Sequence, residues 1–140
     1  MKMKLTLVTI LSFTTSLAFI CAYFGKLAMD NIEQYFAVIA LIFMDGFFGV
    51  IAGIRREGFK TYKALKVLRT IFTWLVILTT ILMIERGFAG TSWLSETIMV
   101  PFMVFELISA LKNASMSGFI KNDQLNQILD LIDKHKGQRK

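Results

Sequence analysis

Cysteine, histidine and proline are nearly missing from this chain, with one of each in 140 residues. A single cysteine, Cys21, excludes an intramolecular disulfide, and one cysteine with one histidine leaves no ligand set for a metal site. Cys21 lies in an apolar run and reads as a small packing residue. His135 stands in a basic tail, so no Ser/His/Asp arrangement can be assembled. No glycine-rich phosphate loop exists, because Gly46, Gly49 and Gly53 fall inside an apolar segment. These absences point away from an enzyme and from any bound cofactor. One proline, Pro101, leaves the remaining helices uninterrupted.

Charge is also missing over long stretches. Leu5–Phe24 is twenty residues without a charged side chain, and about twenty apolar residues cross a bilayer core as helix. The whole chain is 55% hydrophobic with mean hydropathy +0.59, above the roughly 45–50% of ordinary globular chains. The class this implies is all-α and polytopic: a single membrane domain over 1–140 with three to four spans. The spans are expected at about 5–24, 36–54, 67–84 and 97–111, followed by a cytoplasmic tail over 112–140. A positive start before an apolar run also describes a signal peptide. This run is long for one, and Phe19-Ile20-Cys21 lacks a small-x-small cleavage pattern, which favours an uncleaved first span.

The intervening segments read as links. Gly25–Tyr35, with Lys26, Asp30 and Glu33, is one short polar link, and Glu85–Glu96 is another. Between Arg69 and Glu85 lie fifteen uncharged residues, about 22 Å of helix, so both charged ends of that span must reach outward. The fourth span is the weakest, since it contains Pro101 and Glu106, and a re-entrant segment is the alternative. In the tail, Leu125, Ile128, Leu129 and Ile132 recur at helical spacing, which predicts an amphipathic helix capped by Asn122 or Asp123.

Net charge is +6, but its distribution argues for a membrane rather than nucleic acid. Of sixteen Lys and Arg, two precede the first span, six lie in Arg55–Arg69 and six lie from Lys112 onward; Lys26 and Arg86 are the exceptions. Fourteen therefore fall on one side of four spans. Basic flanks stay cytoplasmic, so both termini are predicted in the cytoplasm. Arg55, Arg56, Lys60, Lys63, Lys66 and Arg69 form a cluster suited to anionic lipid at that surface.

Three polar features interrupt the spans. Thr9, Ser12 and Ser16 share one helix face, either bonding back to their own carbonyls or lining a seam. Asp45 sits near the middle of the second span, where an acid costs about 2.5–3.5 kcal/mol by insertion scales and turns toward other helices or water. Gly49 and Gly53 have the spacing that lets two helices touch. Asp45 with these glycines is either an assembly face or an acid that binds a hydroxyl such as Thr73 or Thr80 within one chain. Glu106, Ser109 and Asn113 form a polar stripe on the last span, which bonds to another helix, lines water, or lets Glu106 reach toward the surface near Lys112.

The order of these features resembles phage holins of the toxin-secretion/phage-lysis type. The resemblance runs through Asp45, Gly49 and Ala52, the basic stretch Arg55–Lys66, and Glu106-Leu107-Ile108-Ser109-Ala110-Leu111-Lys112-Asn113. It continues through Gly118 and the amphipathic Leu125–Ile132, covering about Ala40 to Ile132. The chain departs from the pattern at Lys112, where an acid is usual, in lacking a proline after Gly118, and in lacking a glycine before the third span. The resemblance implies a protein that gathers with copies of itself in the bacterial cytoplasmic membrane and opens lesions. A peptidoglycan-cleaving endolysin, which it need not contact, or a toxin would then leave the cell. Two other functions fit the residues: a small ion- or solute-conducting membrane protein using Asp45 and Glu106, or a membrane anchor whose tail helix docks a soluble partner.

Overall fold

Each long apolar run of the sequence becomes one helix. The computed structural model describes residues 2–58 and 61–137, and every regular element among them is helical. The helices are α1 (Lys2–Asp30), α2 (Ile32–Glu57), α3 (Thr61–Gly87), α4 (Leu94–Met116) and α5 (Asn122–Gly137). The first four each contain a stretch long and apolar enough to cross a membrane. At 23 residues, α4 reaches about 35 Å, more than a roughly 30 Å hydrocarbon core.

The helices are longer than the predicted spans, and the links are correspondingly shorter. Within the short polar link Gly25–Tyr35, α1 continues to Asp30 and α2 starts at Ile32. Charged residues at a helix end do not break a helix that reaches the headgroups. Asn31 does break it, and its Nδ2 donates to the Leu27 carbonyl at 2.9 Å, satisfying one of the acceptors that a helix end leaves open. The second link also shrinks, to Phe88–Trp93. The weak fourth span is a continuous helix with Pro101 inside it. Its start is capped from another helix, because Glu85 Oε1 accepts the Ser95 backbone N–H at 2.7 Å. The basic stretch after Arg55 is mostly helix extension, broken at Gly58, whose φ of 80° favours glycine.

Packing divides the bundle into two halves. Toward the α1–α2 and α3–α4 turns lies an apolar core of Leu27, Val38, Ile42, Leu78, Ile81, Leu82, Met99 and Phe102. Trp74 stacks on Phe102 with ring centroids 3.4 Å apart, so it packs rather than facing lipid. Toward the other end the buried residues are small: Ala52, Ala110, Ala114 and Ser117. The contact between α2 and α4 is the most extensive in the bundle. In lipid such packing rests on close backbone approach and interhelical hydrogen bonds, since tails are as apolar as the helices.

The first helix stands largely apart. From Val8 to Lys26 every α1 side chain is exposed, and burial begins at Leu27. Asp30 on α1 is bridged to Arg86 on α3 at 2.6 Å. The surface of the whole bundle is rich in exposed Phe, Leu, Ile and Val, an arrangement that lipid solvates and water does not.

The tail helix is present, with a cap other than Asn122 or Asp123. Gln124 Oε1 accepts the Lys121 backbone N–H at 3.3 Å, the reaching-back half of a capping box. Asn122 instead accepts from Ser115 Oγ at 2.6 Å, tying α5 to α4. Leu125, Ile128, Leu129 and Ile132 are half-buried.

Candidate functional site

The polar residues of α2 and α4 meet in the small-residue half of the bundle. Asn113 Nδ2 donates to Asp45 Oδ1 at 2.9 Å, across 68 positions of sequence. This partner replaces Thr73 and Thr80, which donate to the carbonyls of Arg69 and Val76 in their own helix. One turn beyond Asp45, an added Cβ at Gly49 would stand 3.3 Å from Asn113 Nδ2. Glycine there leaves room for the asparagine. Gly46 faces another neighbour, because a Cβ on it would overlap the Val67 side chain of α3. The two glycines therefore admit two different helices.

Ser117 extends the contact by one turn. Its side chain is 1% exposed, and its hydroxyl lies 3.0 Å from the Phe48 carbonyl and 2.7 Å from the Asn113 carbonyl. It donates to one of these at a time. The chain then turns at Gly118, with φ 77°. The Phe119 N–H bonds the Ala114 carbonyl and the Gly118 N–H bonds the Ser115 carbonyl, which is the Schellman pattern that closes a helix end. The Phe119 ring meets Phe48 at 5.4 Å between centroids.

Glu106 shares a cavity of about 300 Å³ with Asp45, Gly49, Lys66 and Thr70. The structure thus brings together Asp45, Gly49, Glu106, Asn113 and Lys66. Ser109 and Gly53 are half-buried on the same two helices. Arg69 is exposed. Arg55 is exposed as well, and an added Cβ at Gly118 would lie 3.1 Å from its Nη1. This puts a guanidinium beside the carbonyl end of α4, where positive charge is favourable. Lys60 lies outside the described residues, as do the side chains of Arg56 and Lys63.

The hydroxyl stripe on α1 bonds within its own helix: Ser12 Oγ donates to the Thr9 carbonyl at 2.9 Å and Ser16 Oγ to the Ser12 carbonyl at 2.8 Å. Interhelical ties are not marked in the sequence, as two examples show. Tyr35 and Thr79 hydroxyls are 2.8 Å apart between α2 and α3, and Ser117 continues the stripe Glu106, Ser109, Asn113 by another four residues. The second was available as a pattern but lies past the predicted span end.

These groups can donate and accept hydrogen bonds and interact with ions. Among the described residues no group of three or more His, Cys, Asp or Glu could hold a metal ion. A family model described as the bacteriophage holin family matches residues 18–134. No curated protein and no solved structure matches the chain.

Proposed function

The chain belongs to the bacteriophage holin family, and from that premise we propose that it oligomerises in the cytoplasmic membrane of a bacterial host and opens lesions there. A peptidoglycan-cleaving endolysin passes through them to the wall, with no contact between the two proteins required. A toxin is the alternative cargo. This role needs no catalytic group and no cofactor. The lysine and arginine distribution supports both termini in the cytoplasm, with Arg55, Arg56, Lys60, Lys63, Lys66 and Arg69 at the inner surface. Each basic residue near an anionic leaflet is worth about 1 kcal/mol.

The observation that carries this reading is the Asp45–Asn113 bond inside a bundle whose outer surface is apolar. In the single chain Asp45 of α2 and Asn113 of α4 satisfy each other. Gly49 is covered by Asn113 of its own chain, so the same glycine face receives a second chain only after α4 moves. Crowding in the membrane favours that exchange. Asp45, Glu106, Ser109 and Asn113 then turn toward water and line the lesion, and the Gly49–Gly53 face joins neighbouring chains.

Inducible expression of Asp45→Leu, Gly49→Leu and Glu106→Leu, each confirmed in the membrane, tests this against a potential-sensitive dye. Altered lysis timing in these variants is the expected result. Wild-type timing in all three overturns the mechanism.

The cavity holding Asp45, Glu106, Lys66 and Thr70 supports a second reading, in which the chain conducts ions at a steady rate. Sustained flux in intact cells, without sudden loss of potential, distinguishes it from lesion formation.

A further inference from the structure

At the opposite end of the bundle is a second cavity, of about 260 Å³, between the starts of α2 and α4. Its wall is formed by Val38, Leu78, Met99 and Met103, and Glu33 and Glu96 are among the residues that line it. Val38, Leu78 and Met99 are core residues exposed by 4% or less. The space therefore reaches from the charged helix ends into the apolar interior. The two methionines can adjust to an irregular chain.

The charge at this end is negative in balance, with Lys26 and Arg86 against Asp30, Glu33, Glu85 and Glu96. Glu33 and Glu96 stand in the first turns of α2 and α4, where each complements a helix dipole. A helix N-terminus carries about +0.5 charge, so two helices offset roughly half of two carboxylates. The nearby Arg86 is occupied by Asp30, and Glu85 by the Ser95 N–H. Among the described residues, none that lines the cavity is basic. An apolar cleft with a negative rim, opening into a bilayer, complements an amphiphile with a cationic head.

We propose that this cleft binds one aminophospholipid of the surrounding bilayer. Its ammonium is held by Glu33 and Glu96, its phosphate stays in the headgroup layer, and one acyl chain enters between Val38, Leu78, Met99 and Met103. Because α2 and α4 make the main contact of the bundle, a lipid wedged at their start steadies the arrangement that keeps Asp45 on Asn113. The site depends only on residence in a membrane and not on lesion formation.

Native mass spectrometry of the full chain, released from detergent with equal phosphatidylethanolamine and phosphatidylglycerol, tests the site. The basic Arg55–Arg69 stretch and the tail favour the anionic phosphatidylglycerol, so the cleft is read from phosphatidylethanolamine retention compared between variants. Phosphatidylethanolamine retention should be about five-fold higher in the wild-type chain than in Glu33→Gln/Glu96→Gln, the scale of two exposed ion pairs. Phosphatidylglycerol retention should stay unchanged or rise in that variant, where only the ion pairs are lost. Val100→Trp, at an exposed position on the cleft wall, should fill the space and reduce phosphatidylethanolamine retention while the helical circular dichroism stays unchanged. Equal phosphatidylethanolamine retention by the wild-type chain and the double glutamine variant overturns the proposal. So does undiminished phosphatidylethanolamine binding in a folded Val100→Trp.

Discussion

The Asp45 carboxyl and the Asn113 carboxamide, 68 residues apart, are joined by a 2.9 Å hydrogen bond between α2 and α4. It lies among Gly49, Ala52, Ala110, Ala114 and Ser117, so the two most intimate helices of the bundle are joined by small residues and one polar pair. Removing one partner leaves the other without its bond in a poorly hydrated place. Asn113→Ala should cost about 1 kcal/mol, within the range measured between membrane helices. Asp45→Leu/Asn113→Leu removes both polar groups and should cost less than the sum of the two single leucine changes. Unfolding in mixed detergent micelles, followed by circular dichroism across this double-mutant cycle, measures the coupling. A coupling of zero contradicts the pairing.

Gly49 should respond to size in a graded way. A methyl at that position meets Asn113 Nδ2 at 3.3 Å, a contact relieved by a few tenths of an ångström of side-chain movement. Gly49→Ala should therefore stay close to wild type, with a small loss of stability. Gly49→Leu must displace Asn113 and should cost roughly as much as Asn113→Ala, about 1 kcal/mol or more. In cells the leucine variant should shift lysis time further than the alanine variant, measured from culture turbidity after induction.

The four spans and the tail helix are legible in the sequence because lipid demands about twenty apolar residues in a row, a signal hard to produce otherwise. Asp45, Glu106, Ser109 and Asn113 stand out for the same reason. Spacing assigns each of them to a helix face, yet it cannot say which face meets which. Thr73 and Thr80 are as plausible as Asn113 until the helices are placed. Helix runs on past the expected span ends, where the sequence turns charged. Lys26, Asp30 and Glu33 sit within or beside continuous helix, since a span longer than the core simply carries its ends into the headgroups. Ser117 is overlooked because the last span is expected to stop at Leu111, six residues before it.

Gly118 carries the turn that directs α5. Its φ of 77° is disfavoured for a residue with a Cβ, and a Cβ there would also crowd Arg55 Nη1 at 3.1 Å. Gly118→Ala should destabilise the α4–α5 junction by about 1 kcal/mol. The expected readout is earlier proteolysis in the Ser117–Lys121 turn with the four long helices still intact. Arg55→Gln should not produce that cleavage by itself, because the turn is held by the Schellman hydrogen bonds. Equal protease sensitivity in Gly118→Ala and wild type would reject the backbone argument.

The first helix should be the most easily detached part of the bundle. Its side chains from Val8 to Lys26 are exposed, so its described attachment is Leu27 in the core and the Asp30–Arg86 ion pair. That pair is partly exposed and worth about 0.2–1 kcal/mol. Cys21, the sole cysteine and exposed on α1, accepts a spin label without any engineering. Asp30→Asn and Arg86→Gln should each broaden the distribution of distances from Cys21 to a second label on α3, introduced at the exposed Val76. The double variant should broaden it no further than either single change, because both remove the same bond. Leu27→Ala should broaden it more than either, since it empties a fully buried position and costs about 2–5 kcal/mol. If the neutralising variants leave the distances unchanged while Leu27→Ala broadens them, packing alone holds α1, and the ion pair contributes nothing to its position.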